Sequence, residues 1–246
     1  MKIEQTTSSV IEQLWGLVGP GVKESKCLED AAQSLATQLH TQFGESVVIA
    51  RVFFTVPYDA LPPKNKEFVS KLAESAQAAS ELRATTPVLS LIGTHGQEES
   101  WCDRRQSKGH VGIPLISSSF VDSIPMISRL LKELGVPVEW VDSHDAEIII
   151  ETVGRSAGLF FVKNAAEATD RQGRKIIAAQ DFVSDYGVKS VLGIGGAYPN
   201  GEMIVVVAFC RETFPRTIAE HFLPLTDLFK SETASLVGGK GIFSEA

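Results

Sequence analysis

The sequence predicts an α+β protein, and three observations carry that reading. The stretch Asp185–Arg211 reads as two strands joined at Tyr198-Pro199-Asn200-Gly201, because Val188, Val191, Leu192 and Ile194 precede that punctuation and a nearly unbroken apolar, β-branched run, Met203–Phe209, follows it. Asn-Gly favours the positive φ that closes a hairpin. Next, Leu28, Ala31, Ala32, Leu35, Ala36, Leu39 and Phe43 fall at helical spacing and are followed directly by the buried strand pattern VVIARVFFTV. Finally, the order of elements lacks the regular strand–helix alternation of a doubly wound parallel sheet.

Along the chain, Ser9–Val18 is expected as a short helix ended by Gly19-Pro20-Gly21, and Cys27–Phe43 as a strong amphipathic helix stopped by Gly44. Ser46–Val56 is the first strand. Pro63 suits the first turn of a helix that ends near Ala79, and Pro87–Ile92 is a further strand. A polar segment, Gly93–Gly109, has no periodicity, and Val111–Ile116 resumes an extended pattern. Phe120–Leu134 is read as one helix ended by Gly135-Val136-Pro137, Val138–Val141 as a short strand, and Leu159–Val162 as another. Asp145–Val153 fits either a strand or a helix. Ala165–Arg174 is a polar loop, and Gln180–Tyr186 a short helix stopped by Gly187. The last helix, Pro215–Leu236, is expected to kink at Pro224, which deletes a backbone hydrogen bond. Residues 1–24 are thus a lead helix, 25–237 the main domain, and 238–246 a flexible tail.

Composition narrows the function classes. Hydrophobic content of 43% with 22% charged residues is ordinary for a soluble globular chain. A formal charge of −7 with no basic stripe disfavours a nucleic-acid partner. No apolar run reaches membrane-spanning length, and MKIEQTTSSV lacks the pattern of a secretion signal. The three cysteines, Cys27, Cys102 and Cys210, are too far apart to suggest a disulfide framework or a metal clip. A cytoplasmic location with reduced thiols is expected. Gly193-x-Gly195-Gly196 imitates a dinucleotide loop, but that loop must open a helix and here a strand follows.

Asp181-Phe182-Val183-x-x-Tyr186-Gly187-Val188-Lys189-Ser190-Val191-Leu192, the Asn200-Gly201-Glu202 turn, the strand Met203–Phe209 and the closing helix from Pro215 together resemble the late part of a GAF domain. The helix at Cys27–Phe43 and its following strand resemble the domain's start. The resemblance implies a central antiparallel sheet of about six strands with the terminal helices on one face. It implies a pocket on the other face, under loops from the middle of the domain, and here that middle is enlarged by an insertion around 93–180. Members often bind small molecules such as cyclic nucleotides or tetrapyrroles, often dimerise through their first and last helices, and are regulatory modules. A stand-alone sensory domain is therefore expected, with a small-molecule ligand, a homodimer through the terminal helices, and a kinase or regulator as possible partner. The resemblance leaves the cofactor unknown.

The polar segment is the candidate site. Arg104 and Arg105 suit a carboxylate or phosphate through forked hydrogen bonds. Trp101 offers a flat apolar wall, and Asp103 and His110 complete the set. The bland reading is a solvated loop with Trp101 tucked into the core. His95, Cys102, Asp103 and His110 are competent metal ligands, but their spacing matches no zinc pattern. One branch of the family reduces methionine sulfoxide with clustered cysteines, which makes Cys102, near Arg104 and Arg105, the alternative catalytic residue. A ligand-free dimerisation scaffold is the third alternative. Ser123-Ile124-Pro125 with Arg129 faintly resembles the pocket motif of bilin-binding members, yet Ile124 and Ile127 read as core and Pro125 as a first-turn residue. His40 and His221 are expected to be structural or exposed, and no GxSxG motif supports hydrolysis.

Overall fold

Alternation along one strand sets both layers of the molecule. In β1 (Val47–Pro57), Ala50, Val52, Phe54 and Val56 point to one side and Ile49, Arg51 and Phe53 to the other. The period of two that underlies this is a property of pleated backbone. The computed structural model describes residues 1–143, 157–237 and 241–244. Among them, β1 is joined by β2 (Pro87–Gly96), β3 (Gly112–Pro114), β4 (Gly158–Val162), β5 (Ser190–Ala197) and β6 (Met203–Cys210) in one sheet of order β3-β2-β1-β6-β5-β4, antiparallel throughout. This is the α+β architecture expected, with a central antiparallel sheet of six strands. The Gly193–Gly196 cluster lies inside β5. The β5–β6 connection closes through Gly201 N–H to Tyr198 O at 3.0 Å, and only Gly201, at φ 83°, takes the left-handed region there.

The terminal helices cover the first face. α1 (Ser8–Glu24) buries Ile11, Leu14, Val18 and Val22, and α2 (Leu28–Gln42) buries Leu28, Ala31, Ala32, Leu35, Ala36 and Leu39. The last helix, α9 (Leu223–Val237), adds Leu225, Phe229 and Val237 to the same core. α2 lies directly on β2 because Gly93 has no side chain: a Cβ there would sit 2.5 Å from the Ala32 backbone. The second face is covered by the middle of the chain, through α3 (Pro63–Ser75), α4 (Ser118–Asp122), α5 (Pro125–Glu133), α6 (Val138–Ser143) and α7 (Gln180–Asp185). Among the described residues, no helix is long and apolar enough to cross a membrane.

Several expectations need correction. α1 does not end at Gly19-Pro20-Gly21 but runs on to Glu24. Pro20 and Gly16 are both exposed, so water can reach the carbonyl that Pro20 leaves without a donor, and buried Val18 and Val22 carry the apolar stripe across. α3 stops at Ser75, four residues early, with Gln77 in the left-handed region at φ 59°. β2 continues to Gly96, because its ladder with β1 pairs Ala50 with His95 and Ile49 with Gly96 whatever the side chains. Phe120–Leu134 is two helices, α4 and α5, since Pro125 opens the second one. Val138–Val141 is part of a helix, α6: after Pro137, the Trp140 N–H turns back to the Pro137 carbonyl at 3.2 Å. Four residues, Val-Glu-Trp-Val, are too few to distinguish the two states by periodicity. The last helix is also two, α8 (Arg216–Glu220) and α9, with Pro224 in the first turn of α9, where no N–H is needed. Asp145–Val153 lies outside the described residues.

The tail differs as well. Residues 241–244 dock on the start of α2 rather than fray. The first amides of a helix have no partner within it. Here Leu28 N–H donates to Gly241 O and Glu29 N–H to Ile242 O, both at 2.8 Å, and Ser244 N–H donates to the Glu29 carboxylate at 3.0 Å.

Candidate functional site

A cavity of about 280 Å³ opens on the second face of the sheet. Its floor is made by Ile49, Arg51 and Phe53 of β1 and by Val205, Val207 and Phe209 of β6, the side chains that alternation turns away from the terminal helices. One wall is the first turn of α5, with Ile124, Pro125, Met126 and Ile127; another is the segment Ile176–Ala179 with Phe182 of α7. Trp101, Gly109 and His110 complete the lining. Among the described residues that line the cavity there is no Asp or Glu, and Arg51 is the one side chain with a permanent charge.

Arg51 rises from the middle of the floor. Its Nη1 donates to Gly109 O at 3.0 Å and its Nη2 to Ser107 Oγ at 3.2 Å. Burial pushes its pKa down to about 10, so the guanidinium stays protonated at neutral pH. His110 adopts φ 54°, and loss of water, followed by the nearby charge of Arg51, holds its imidazole below the usual histidine pKa. Its neutral form therefore prevails at pH 7. Trp101 stands edge-on to Phe182, with centroids 5.8 Å apart, and packs at 4.7 Å on Tyr186.

Of the five predicted ligand contacts, Trp101 and His110 line the cavity, whereas Asp103, Arg104 and Arg105 do not. Arg104 is buried against α2, where its Nη2 meets Glu29 Oε2 at 2.7 Å and its guanidinium lies 4.9 Å above the Phe243 ring. Arg105 reaches Glu29 Oε1 at 2.8 Å and Ser244 Oγ at 2.6 Å. Asp103 accepts the Arg105 N–H at 2.8 Å. The physical reason is charge: Glu29, itself buried, draws both arginines to the helix side of the loop. This pair of cations ties the loop to α2 and to the chain end.

Cys102 lies away from the cavity lining. Its Sγ donates to Gly96 O at 3.4 Å and is 3.9 Å from His95 Nε2. His95 Nδ1 in turn is 3.3 Å from Thr37 Oγ1, and its ring is 5.0 Å from that of His40. Cys27 and Cys210 are buried, and burial pushes both thiols up. None of the three lines the cavity, so the clustered thiols of the reductase alternative are not gathered there. The four possible metal ligands are divided too: His95 and Cys102 meet beside α2, Asp103 turns to Arg105, and His110 joins the cavity wall. His221 pairs with Ser8 across the terminal helices.

The Ser123-Ile124-Pro125 motif reaches the site in part. Ile124 and Pro125 line the cavity, and Ile127 both packs in the core and lines it. Arg129 turns away, donating to Glu133 and to Phe161 O. The residue that sequence reasoning missed is Arg51. Its signal was present: it is the single charge in the run VVIARVFFTV.

No known family's sequence model matches the chain, and no curated protein matches it. Solved structures do. The phycocyanobilin-bound GAF domain from a cyanobacterial phytochrome is 11% identical, with 92% of this chain and 94% of that one covered at a TM-score of 0.49. The GAF domain from an Acinetobacter phosphoenolpyruvate-protein phosphotransferase is 12% identical, with 93% and 96% covered at 0.46. The chromophore-binding domain of a bacteriophytochrome from R. palustris is 8% identical, with 95% and 63% covered at 0.48.

Proposed function

We propose that this chain is a GAF-like sensory domain that binds a small molecule in the cavity between β1, β6 and α5. The observation that carries this reading is the cavity itself: about 280 Å³, walled by apolar side chains around one buried cation. Small-molecule sites are typically concave, mostly apolar and roughly 300–1,000 Å³, with a few placed polar groups. A ligand-free scaffold has no use for such a space.

Signalling would pass through the loop that carries Trp101 and His110. The same loop carries Arg104 and Arg105, which hold Glu29 on α2 and Ser244 at the chain end. A ligand that favours one arrangement of this loop shifts the packing of the terminal helices by its differential affinity. The receiver would be a second copy of the chain or a kinase or other regulator docked on those helices.

An uncharged fluorescent probe small enough for this volume, 1-naphthylamine, tests the reading. Saturable binding near one probe per chain is expected, with loss of that binding in Val207→Phe, which fills the floor while the fold, followed by circular dichroism, is retained. Absence of saturable binding, or equal binding by the filled variant, overturns it.

A further inference from the structure

A guanidinium carries five N–H donors. For Arg51 two bonds are formed, both to neutral acceptors, the Gly109 carbonyl and the Ser107 hydroxyl. Among the described residues no carboxylate lies within ion-pair distance of it. Arg104 shows the contrast, since the same kind of group, buried on the other side of the loop, has Glu29 at 2.7 Å. Burying a cation is unfavourable unless an anion joins it. With no such anion at Arg51 among the described residues, its partner is to be sought in the cavity that this side chain lines.

The surroundings fix the rest of the ligand. Next to Arg51, His110 offers a ring that can donate one hydrogen bond while neutral. The first turn of α5 forms one wall, and a helix start presents the positive end of its dipole. Beyond this polar corner the lining among the described residues is Ile, Leu, Val, Met, Phe, Trp, Ala and Pro, with no second charge to receive a second head group. The volume, about 280 Å³, equals roughly nine water volumes at ~30 Å³ each, space for about ten heavy atoms.

We propose that the cavity binds an apolar monocarboxylate of about this size, its carboxylate on Arg51 beside His110 and its hydrocarbon body against Phe53, Val207 and Met126. The proposal rests on the reading of the cavity as a small-molecule site. A forked guanidinium–carboxylate pair in a site shielded from water is both stronger and more selective than the same pair in solvent. A phosphate ester or a dicarboxylate brings more charge than one guanidinium can neutralise, and a neutral apolar molecule leaves Arg51 as it is.

Octanoate and octan-1-ol, alike in length and differing in the head group, decide the matter when each displaces bound 1-naphthylamine at pH 7.5. Octanoate is expected to compete about tenfold to a hundredfold better than the alcohol, the range of one to two charge-assisted bonds. In Arg51→Met, which keeps the unbranched stem of the side chain without the charged guanidinium, the probe still binds and the preference reverses toward the alcohol. In Arg51→Lys it is retained in part. Equal competition by acid and alcohol in the natural protein overturns the proposal and leaves the cavity reading standing. So does an unchanged preference in Arg51→Met. Failure of the natural protein to bind probe, acid or alcohol overturns both. The comparison in the natural protein needs no variant, so it stands even if Arg51→Met does not fold.

Discussion

Glu29 and its two arginines show how a residue's role depends on which face of a loop it meets. The Glu29 and Arg104 side chains are only 5% and 7% exposed, and their oxygen and nitrogen are 2.7 Å apart. Removing one partner from a buried pair leaves an uncompensated charge and typically costs about 3–5 kcal/mol, whereas removing both costs far less. Glu29→Gln is therefore expected to lower the urea midpoint sharply, and the double variant Glu29→Gln/Arg104→Met to recover much of the loss. Equal destabilisation in the single and double variants would show that the pair does not hold the loop. Arg51 is the opposite case. Since its charge has no protein counter-charge among the described residues, its removal is felt in ligand choice more than in stability.

At the scale of elements, two prolines in helical sequence have opposite consequences. Pro20 lies in the interior of α1, exposed to solvent, and deletes a hydrogen bond there. Pro224 occupies the first turn of α9, where the amide it lacks has no acceptor. Pro20→Ala is expected to stabilise the protein by about 1–2 kcal/mol, part of the ~3 kcal/mol interior penalty being offset by the looser unfolded chain. Pro224→Ala should change the thermal midpoint little. If the two substitutions shift it equally, the division of the last helix into α8 and α9 is not what spares Pro224. The same logic applies to β2, which runs through polar His95 because strand pairing satisfies its backbone independently of its side chains.

Taken whole, the molecule places its terminal helices on one face of the sheet and its cavity on the other, with one loop touching both. On the outer side of the terminal helices, Leu17 of α1 is 55% exposed and Leu228 of α9 is 37% exposed, the two large apolar side chains left in solvent among the described residues. We propose them as part of the face through which the chain pairs with itself. Sedimentation of the natural protein is expected to give a dimer, and Leu17→Glu a monomer with an unchanged circular dichroism spectrum. A natural protein that sediments as a monomer at micromolar concentration would remove the homodimer from the proposed signalling route.

What was legible in the sequence follows from local rules. Helical spacing marked α2, β-branched runs marked β1 and β6, and Asn-Gly with Gly187 marked turns whose left-handed geometry glycine supplies. From these the α+β class follows, while the layering of the terminal helices on one face was what the resemblance to GAF domains implied. The ends of α1, the extent of β2, the division at Pro125 and Pro224, and the helical state of α6 were settled by pairing and burial between segments distant in the chain. The candidate site divides the same way. Trp101 and His110 were found from residue type, but type alone could not say that Arg104 and Arg105 would turn to Glu29, 75 residues away from Arg104 in sequence. Arg51 stood in plain view as one charge in an apolar strand. Only the folded sheet, by its alternation, decided that this charge faces the cavity and that, among the described residues, no acidic residue lines the cavity with it. Sequence determines which side chains are available and which local backbone they favour. Charge partners and cavities arise between segments far apart along the chain, and only tertiary packing fixes them.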